Sequence, residues 1–102
     1  MVYEIVWTGK AVESYAHNMQ YLEENWTEKE MSGFAGAVEE KLFTLSKHPD
    51  IGKPRNKKHP NIRHIVLHKR ITLIYRVKPK HKRIELLLFW NTYQFPAKLK
   101  IK

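Results

Sequence analysis

The side chains best suited to chemistry in this chain are cations, imidazoles and a phenol, and they are concentrated after residue 50. The candidates are Lys53, Arg55, Lys57, Lys58, Arg63, His68, Lys69, Arg70 and Tyr93. Cleavage of RNA by its own 2′-hydroxyl needs a base for that hydroxyl, cations for the phosphorane charge and an acid for the leaving oxygen. These residue types can supply such groups without a metal. The alternatives are a solvated surface position for each cation and packing at a strand end for Tyr93.

Charge is divided unevenly between the two halves of the chain. Residues 1–50 carry four lysines and nine acidic residues, whereas residues 51–102 carry fifteen Lys or Arg and one acid, Glu85. The halves therefore have net charges of −5 and +14, which give the +9 of the whole chain. Such a basic half suits nucleic-acid phosphates or an acidic protein segment as a partner. A solvated face that serves solubility is the alternative.

Composition and motifs exclude several classes of protein. With 102 residues, 42% of them hydrophobic, we expect one domain, residues 1–102, around one core. No apolar run is long enough to span a membrane, and the N-terminal residues lack the pattern of a signal peptide, so we expect a cytoplasmic protein. The absence of cysteine excludes disulfides, thiolate catalysis and cysteine-ligated zinc.

Metal and nucleotide motifs are also missing from the sequence. His64 and His68 are four residues apart, which on a strand separates them by roughly 13 Å. No nearby carboxylate completes a ligand set with His59 in its loop. There is no glycine-rich phosphate loop, and no pair of carboxylates stands near a cleft, which disfavours glycosidase chemistry. We therefore expect neither a metal nor a cofactor.

The hydrophobic pattern predicts the helices and first strand that position these candidates. A β-branched and aromatic strand over about residues 2–7 precedes a helix over about 9–25, which Thr8 can cap. Thr27 and Glu30 have the spacing of a capping box, and a second apolar stripe continues to about residue 47. The short link between the helices predicts an antiparallel hairpin.

Three strands are predicted in the second half of the chain. A basic, proline-rich loop over residues 48–61 leads to strand-like runs at 62–67, 71–77 and 83–90, and their short links predict an antiparallel meander. We therefore predict a small α+β domain of order β-α-α-β-β-β. A helix hairpin should cover one face of a four-stranded antiparallel sheet and leave the other face for a site.

Alternation along the strands assigns the side chains to two faces, neither of which is cleanly polar. Arg63 and His64 are on opposite sides of their strand, and Phe89 is predicted to lie opposite Leu86 unless a bulge shifts the assignment by one residue. The polar residues 91–94 directly follow the apolar end of the last strand. That position suits a functional site, and it equally suits an ordinary turn.

The order of elements and several local stretches resemble the RelE/ParE superfamily of toxins from type II toxin–antitoxin systems. The stretches are IVWTGKAVESY, LSKHPDIGKPR, NIRHIVLHKRITLIYRV and ELLLFWNTYQFPAKL. The resemblance covers nearly the whole chain and implies the superfamily's α+β fold. It also implies one of two activities, since RelE-like and YoeB-like members cut mRNA in the ribosomal A site whereas ParE-like members poison DNA gyrase. In both cases an extended antitoxin segment wraps the toxin, and the basic half here suits an acidic antitoxin.

The resemblance also implies roles for individual residues. RelE-like enzymes place lysines before the second strand, where Lys53, Lys57 and Lys58 stand here. They place an arginine near the start of the third strand, where the equivalent here is Leu67 or Thr72, with His68, Lys69 and Arg70 adjacent. YoeB-like members have a glutamate base where this chain has Arg55, and RelE-like members have an arginine after the last strand where it has Thr92 and Tyr93. The implied catalytic residues are Tyr93 as proton donor, Arg70 and His68. The implied RNA-binding residues are Lys53, Arg55, Lys57, Lys58, Arg63 and Lys69.

The sequence therefore leads to three hypotheses about function. The first is a cytoplasmic, metal-independent mRNA endonuclease that acts on the ribosome, with mRNA, the ribosome and an acidic antitoxin as partners. The second is a gyrase inhibitor without nuclease activity, which the departures from the nuclease residues favour. The third is a catalytically inactive basic relative that keeps the fold. None of the three involves a membrane.

Overall fold

Helices and strands follow one another along the described chain in the predicted order, with one strand added. The computed structural model describes residues 2–55, 57–68 and 71–91. The elements are β1 (Glu4–Trp7), α1 (Gly9–Asn25), α2 (Glu28–Lys47), β2 (Lys53–Pro54), β3 (Ile62–His68), β4 (Ile71–Lys78), a 3-10 turn (Pro79–His81) and β5 (Arg83–Asn91). The predicted α+β class is confirmed. The segment 92–102, including Tyr93, lies outside the described residues, as do Lys69 and Arg70.

Both helices begin at the threonines that the sequence identified as caps. The hydroxyl of Thr8 accepts a hydrogen bond from the Ala11 N–H at 3.2 Å. Thr27 and Glu30 form a complete capping box, in which each side chain accepts a hydrogen bond from the other residue's backbone N–H. Because these contacts are local in sequence, the predicted helix starts agree with the structure. Neither helix within the described residues is long and apolar enough to cross a bilayer.

The sheet differs from the prediction in two respects. Its strand order is β1-β5-β4-β3-β2, and β1 pairs with β5 in parallel, so the sheet is mixed rather than wholly antiparallel. Two helices separate β1 from the meander, and a connection of that length permits parallel pairing. The fifth strand is β2, which pairs with Arg63 and His64 of β3. Pro54 can occupy this short edge strand because its missing N–H faces no further strand.

A bulge at Leu87 overturns the predicted assignment of faces in β5. Tyr75 pairs with Leu86 and Ile74 pairs with Leu88, so Leu87 is the extra residue. After the bulge the alternation is shifted by one, and Phe89 lies on the same face as Leu86. Both are fully buried in the core beneath the helices.

Polar side chains of α1 satisfy the backbone of β5 where β1 has ended. The Thr8 hydroxyl donates to the Leu86 carbonyl at 2.6 Å, and the Ser14 hydroxyl accepts from the Phe89 N–H at 3.0 Å. The buried Asn18 amide donates to the Phe89 carbonyl at 2.9 Å. Leu86 still pairs with Trp7 of β1, whereas Ser14 and Asn18 replace the missing strand neighbour at Phe89, because buried backbone groups require hydrogen-bond partners. They fix the end of β5, from which the polar segment 91–94 continues.

Candidate nucleic-acid interface

The face of the sheet turned away from the helices, termed here the open face, carries a row of side chains that ends in cations. Lys53 of β2 pairs with His64 of β3, which pairs with Ile74 of β4, which pairs with Leu88 of β5. Directly paired residues of antiparallel strands project from the same side of a sheet. The open face therefore places the His64 imidazole between the exposed Lys53 and two apolar side chains, of which Ile74 is fully buried.

Two residues on the helix side of the sheet hold the loop that leads into β2. The Tyr75 hydroxyl accepts a hydrogen bond from the Gly52 N–H and donates one to the Pro49 carbonyl, both at 2.9 Å. The Arg63 guanidinium donates to the carbonyls of Asp50 at 3.2 Å and Gly52 at 2.6 Å. We term these four hydrogen bonds the loop clamp. Since Lys53 directly follows Gly52, the clamp sets where β2 begins and hence where Lys53 lies.

Burial also reinforces the protonated state of the clamp's phenol. Desolvation raises the pKa of Tyr75, and the hydrogen bond from Gly52 offsets part of this effect. The hydroxyl therefore stays protonated at neutral pH, as it must to donate to Pro49. Tyr75 is fully buried, so its role in the described structure is to hold the loop.

His64 is a residue on the open face whose surroundings shift its pKa. Partial burial lowers the pKa of His64, and the charges of Arg55 and Lys53 lower it further. The imidazole is thus neutral at pH 7 and can accept a proton. Its Nδ1 is buried and has no hydrogen-bond partner among the described residues.

The other predicted site residues are distributed over several surfaces. Lys53, Lys57 and Lys58 are exposed, and Arg55 is half-buried with its backbone N–H bonded to the Ile62 carbonyl at 2.8 Å. Arg63 serves the loop clamp on the opposite side of β3. The predicted positions Lys69, Arg70 and Tyr93 lie outside the described residues, and their roles stay predictions.

His68 packs against the helices rather than beside His64. Its ring lies 4.6 Å from that of Trp26 and 6.4 Å from that of Phe34, measured between centroids. Its Nδ1 is buried and has no partner within the part of the chain that the structure describes. The structure therefore does not bring His68 together with Lys53, and a catalytic role for it stays a prediction.

Sequence reasoning considered His64 only as a metal ligand. Across residues 2–55, 57–68 and 71–91, no group of three or more His, Cys, Asp or Glu side chains could hold a metal ion. The sequence did contain a sign that His64 could act on the open face, because the alternation along the strand places His64 and Arg63 on opposite faces. What was missing was β2, whose pairing brings Lys53 alongside.

Comparison with known proteins places this fold among bacterial toxins. A family model described as ParE toxin of type II toxin-antitoxin system, parDE, matches residues 5–94. No curated protein matches. Similar solved structures include the chromosomal ParDE system from P. aeruginosa, with a TM-score of 0.68 and 19% identity over 88% of this chain and 96% of that one.

Two further solved structures have the same fold at similarly low sequence identity. The RelBE2 toxin–antitoxin complex from Mycobacterium tuberculosis has a TM-score of 0.61 and 18% identity, covering 89% of this chain and 99% of that one. A mutant of E. coli toxin RelE in the free state has a TM-score of 0.62 and 14% identity, covering 94% and 90%. At these identities the structures establish a shared fold and no more.

Proposed function

The chain belongs to the ParE toxin family of type II toxin–antitoxin systems, and we propose that it is a toxin that cleaves mRNA on the ribosome without a metal. The observation that carries this proposal is the neutral His64 imidazole on the open face, between the cations Lys53 and Arg55 and the sheet. In this proposal His64 is the general base, for which the sequence alone offered no clear candidate.

The proposed reaction is attack of an RNA 2′-oxygen on the adjacent phosphorus. His64 Nε2 takes the 2′-hydroxyl proton as the new O–P bond forms, and the bond from phosphorus to the 5′-oxygen breaks. Lys53 and Arg55 stabilise the negative charge on the phosphorane. An acid protonates the departing 5′-oxygen, a role that we assign to Tyr93. The products are a 2′,3′-cyclic phosphate and a 5′-hydroxyl.

Mapping of mRNA ends after incubation with purified toxin and ribosomes tests this proposal. His64→Gln should lower the cleavage rate by roughly 100-fold to 10,000-fold, which is the usual contribution of a general base. His48→Gln is the matched control, because His48 is an exposed imidazole at the end of α2. Intact mRNA with the wild-type toxin, or full activity of His64→Gln, would overturn the proposal.

Inhibition of DNA gyrase is the second candidate function. The family description names ParE toxins, and the engagement of Arg63 in the loop clamp removes one cation from the predicted RNA-binding set. A supercoiling assay with the toxin at micromolar concentration separates the two functions. Inhibition of supercoiling together with intact mRNA would select this alternative.

An antitoxin is the partner expected for a toxin of this family. The charge of the second half of the chain favours an acidic antitoxin segment, since complementary charge speeds association and selects the partner. Both proposed targets, the ribosome and gyrase, imply that the toxin acts in the cytoplasm. Co-purification with the acidic product of a neighbouring short gene tests the partnership, and a toxin that purifies alone from co-expression would contradict it.

A further inference from the structure

A cleft of about 550 Å³ lies beyond the His64 row, between the loop before β3 and the turn between β4 and β5. Side chains of cations and imidazoles from both segments line it. They are Lys58, His59, Arg76, Lys78, Lys80 and His81. The loop and the turn each contain a proline within the lining, Pro60 and Pro79, which restricts the backbone on both sides.

The cleft lies next to the candidate site along β3 and β4. Ile62 pairs with Arg76, and the next pair on the same face is His64 with Ile74. Two residues along a strand correspond to roughly 7 Å. Arg76 of the cleft therefore lies one pair along the strands from the His64 row.

One carboxylate moderates the charge of the cleft. Glu85 lies 3.6 Å from the Arg76 guanidinium and 3.4 Å from the Lys78 ammonium. At these distances, and with both cations partly exposed, the pairs are weak enough to be exchanged for another anion. Lys80 is exposed on the 3-10 turn and makes no ion pair with the described residues.

From these observations we propose that the cleft is a second anion site, which binds backbone phosphates of the RNA that enters the His64 site. The inference rests on the proposed ribonuclease function, because it names the path of that substrate. Cations alone suffice for phosphates, whose binding is dominated by charge. Ile62 and Val77 form the apolar part of the lining but are 7% and 9% exposed, so they offer little area to anchor a peptide.

Binding of a short 2′-O-methyl RNA, followed by fluorescence anisotropy between about 50 and 200 mM salt, tests the site without cleavage. In the wild-type protein, log K for RNA binding falls linearly with the logarithm of the salt concentration, and we call the steepness of this fall the salt slope. The double variant Lys78→Gln/Lys80→Gln should reduce the salt slope by about 1.4, since each phosphate contact with a single strand contributes roughly 0.7. Lys10→Gln/Lys29→Gln is the control, because it removes the same charge from the exposed ends of the two helices. Glu85→Gln should act in the opposite direction and tighten binding, since it frees Arg76 and Lys78.

The outcomes separate this inference from the proposed function. If both double variants reduce the salt slope of RNA binding equally, the effect is one of general charge, and the proposed phosphate site is overturned. Loss of affinity for an oligoglutamate of matched charge, with RNA binding intact, would assign the cleft to an acidic protein segment instead. His64→Gln should keep the wild-type salt slope. If the wild-type toxin leaves ribosome-bound mRNA intact, the catalytic proposal fails. If Lys78→Gln/Lys80→Gln nevertheless shows a smaller salt slope of RNA binding than the wild type, the phosphate site stands.

Discussion

Gly52 is the position where adding one methyl group should damage the protein most. An alanine Cβ there would overlap the Tyr75 hydroxyl and would lie 2.8 Å from the His64 carbonyl oxygen and 2.9 Å from Cε1 of Tyr75. Neither neighbour can move freely, because the carbonyl belongs to β3 and the phenol is buried and held by two hydrogen bonds. Overpacking costs roughly 1–3 kcal/mol, and each displaced hydrogen bond adds about 1 kcal/mol. We expect Gly52→Ala to lower the free energy of unfolding by about 3 kcal/mol.

Urea and thermal denaturation measure this loss directly. A change of about 3 kcal/mol corresponds to a fall in Tm of roughly 12–24 °C for a domain of this size. Gly33→Ala is the matched control, since a Cβ at Gly33 in α2 meets no atom within 4 Å. It should stabilise the protein by about 0.5–1 kcal/mol through helix propensity. If the two substitutions change stability by the same amount and sign, the loop clamp does not constrain residue 52 as described.

Three further perturbations have defined expected results. Asn18→Ala should lower the free energy of unfolding by about 1–3 kcal/mol, because it leaves the buried Phe89 carbonyl without its 2.9 Å donor; unchanged urea unfolding would contradict this. Lys82→Gly should stabilise the protein by about 1 kcal/mol, because Lys82 has a left-handed φ of 51°, and a lower Tm would be the contrary result. Because the pKa of His64 is lowered in the folded protein, the unfolded chain binds its proton first, so stability should fall as pH drops from about 6.5 through that lowered pKa. His64→Gln should lose this part of the pH dependence, and identical pH profiles of unfolding would refute the assignment.

The elements that could be predicted from the sequence are those fixed by neighbouring residues. The helix caps at Thr8 and Thr27 depend on contacts three residues away, and the pattern contained them. The parallel partnership of β1 with β5 depends on residues almost 80 positions apart, and no local pattern encodes it. An antiparallel arrangement was the natural expectation from the short links of the meander alone.

The errors within the strands have equally specific causes. Leu86, Leu87 and Leu88 are identical, so the change of face at the bulge leaves no trace in the hydrophobic pattern. β2 has only two residues, one of them proline, and carries no strand signal. Without β2 the sequence could not place Lys53 beside His64, and the candidate base was therefore missed.

The pairing of β1 with β5 also determines when during synthesis the toxin can fold. Residues 4–7 leave the ribosome first, but their partners at 83–86 and the strand that anchors α1 are made close to the end of the described chain. Until β5 has been made, the apolar side of α1 has no sheet to pack against. The contacts between α1 and β5 can form only after the long chain segment between them has closed into a loop. A growing chain of this topology therefore cannot present the complete open face until the residues of β5 have been synthesised.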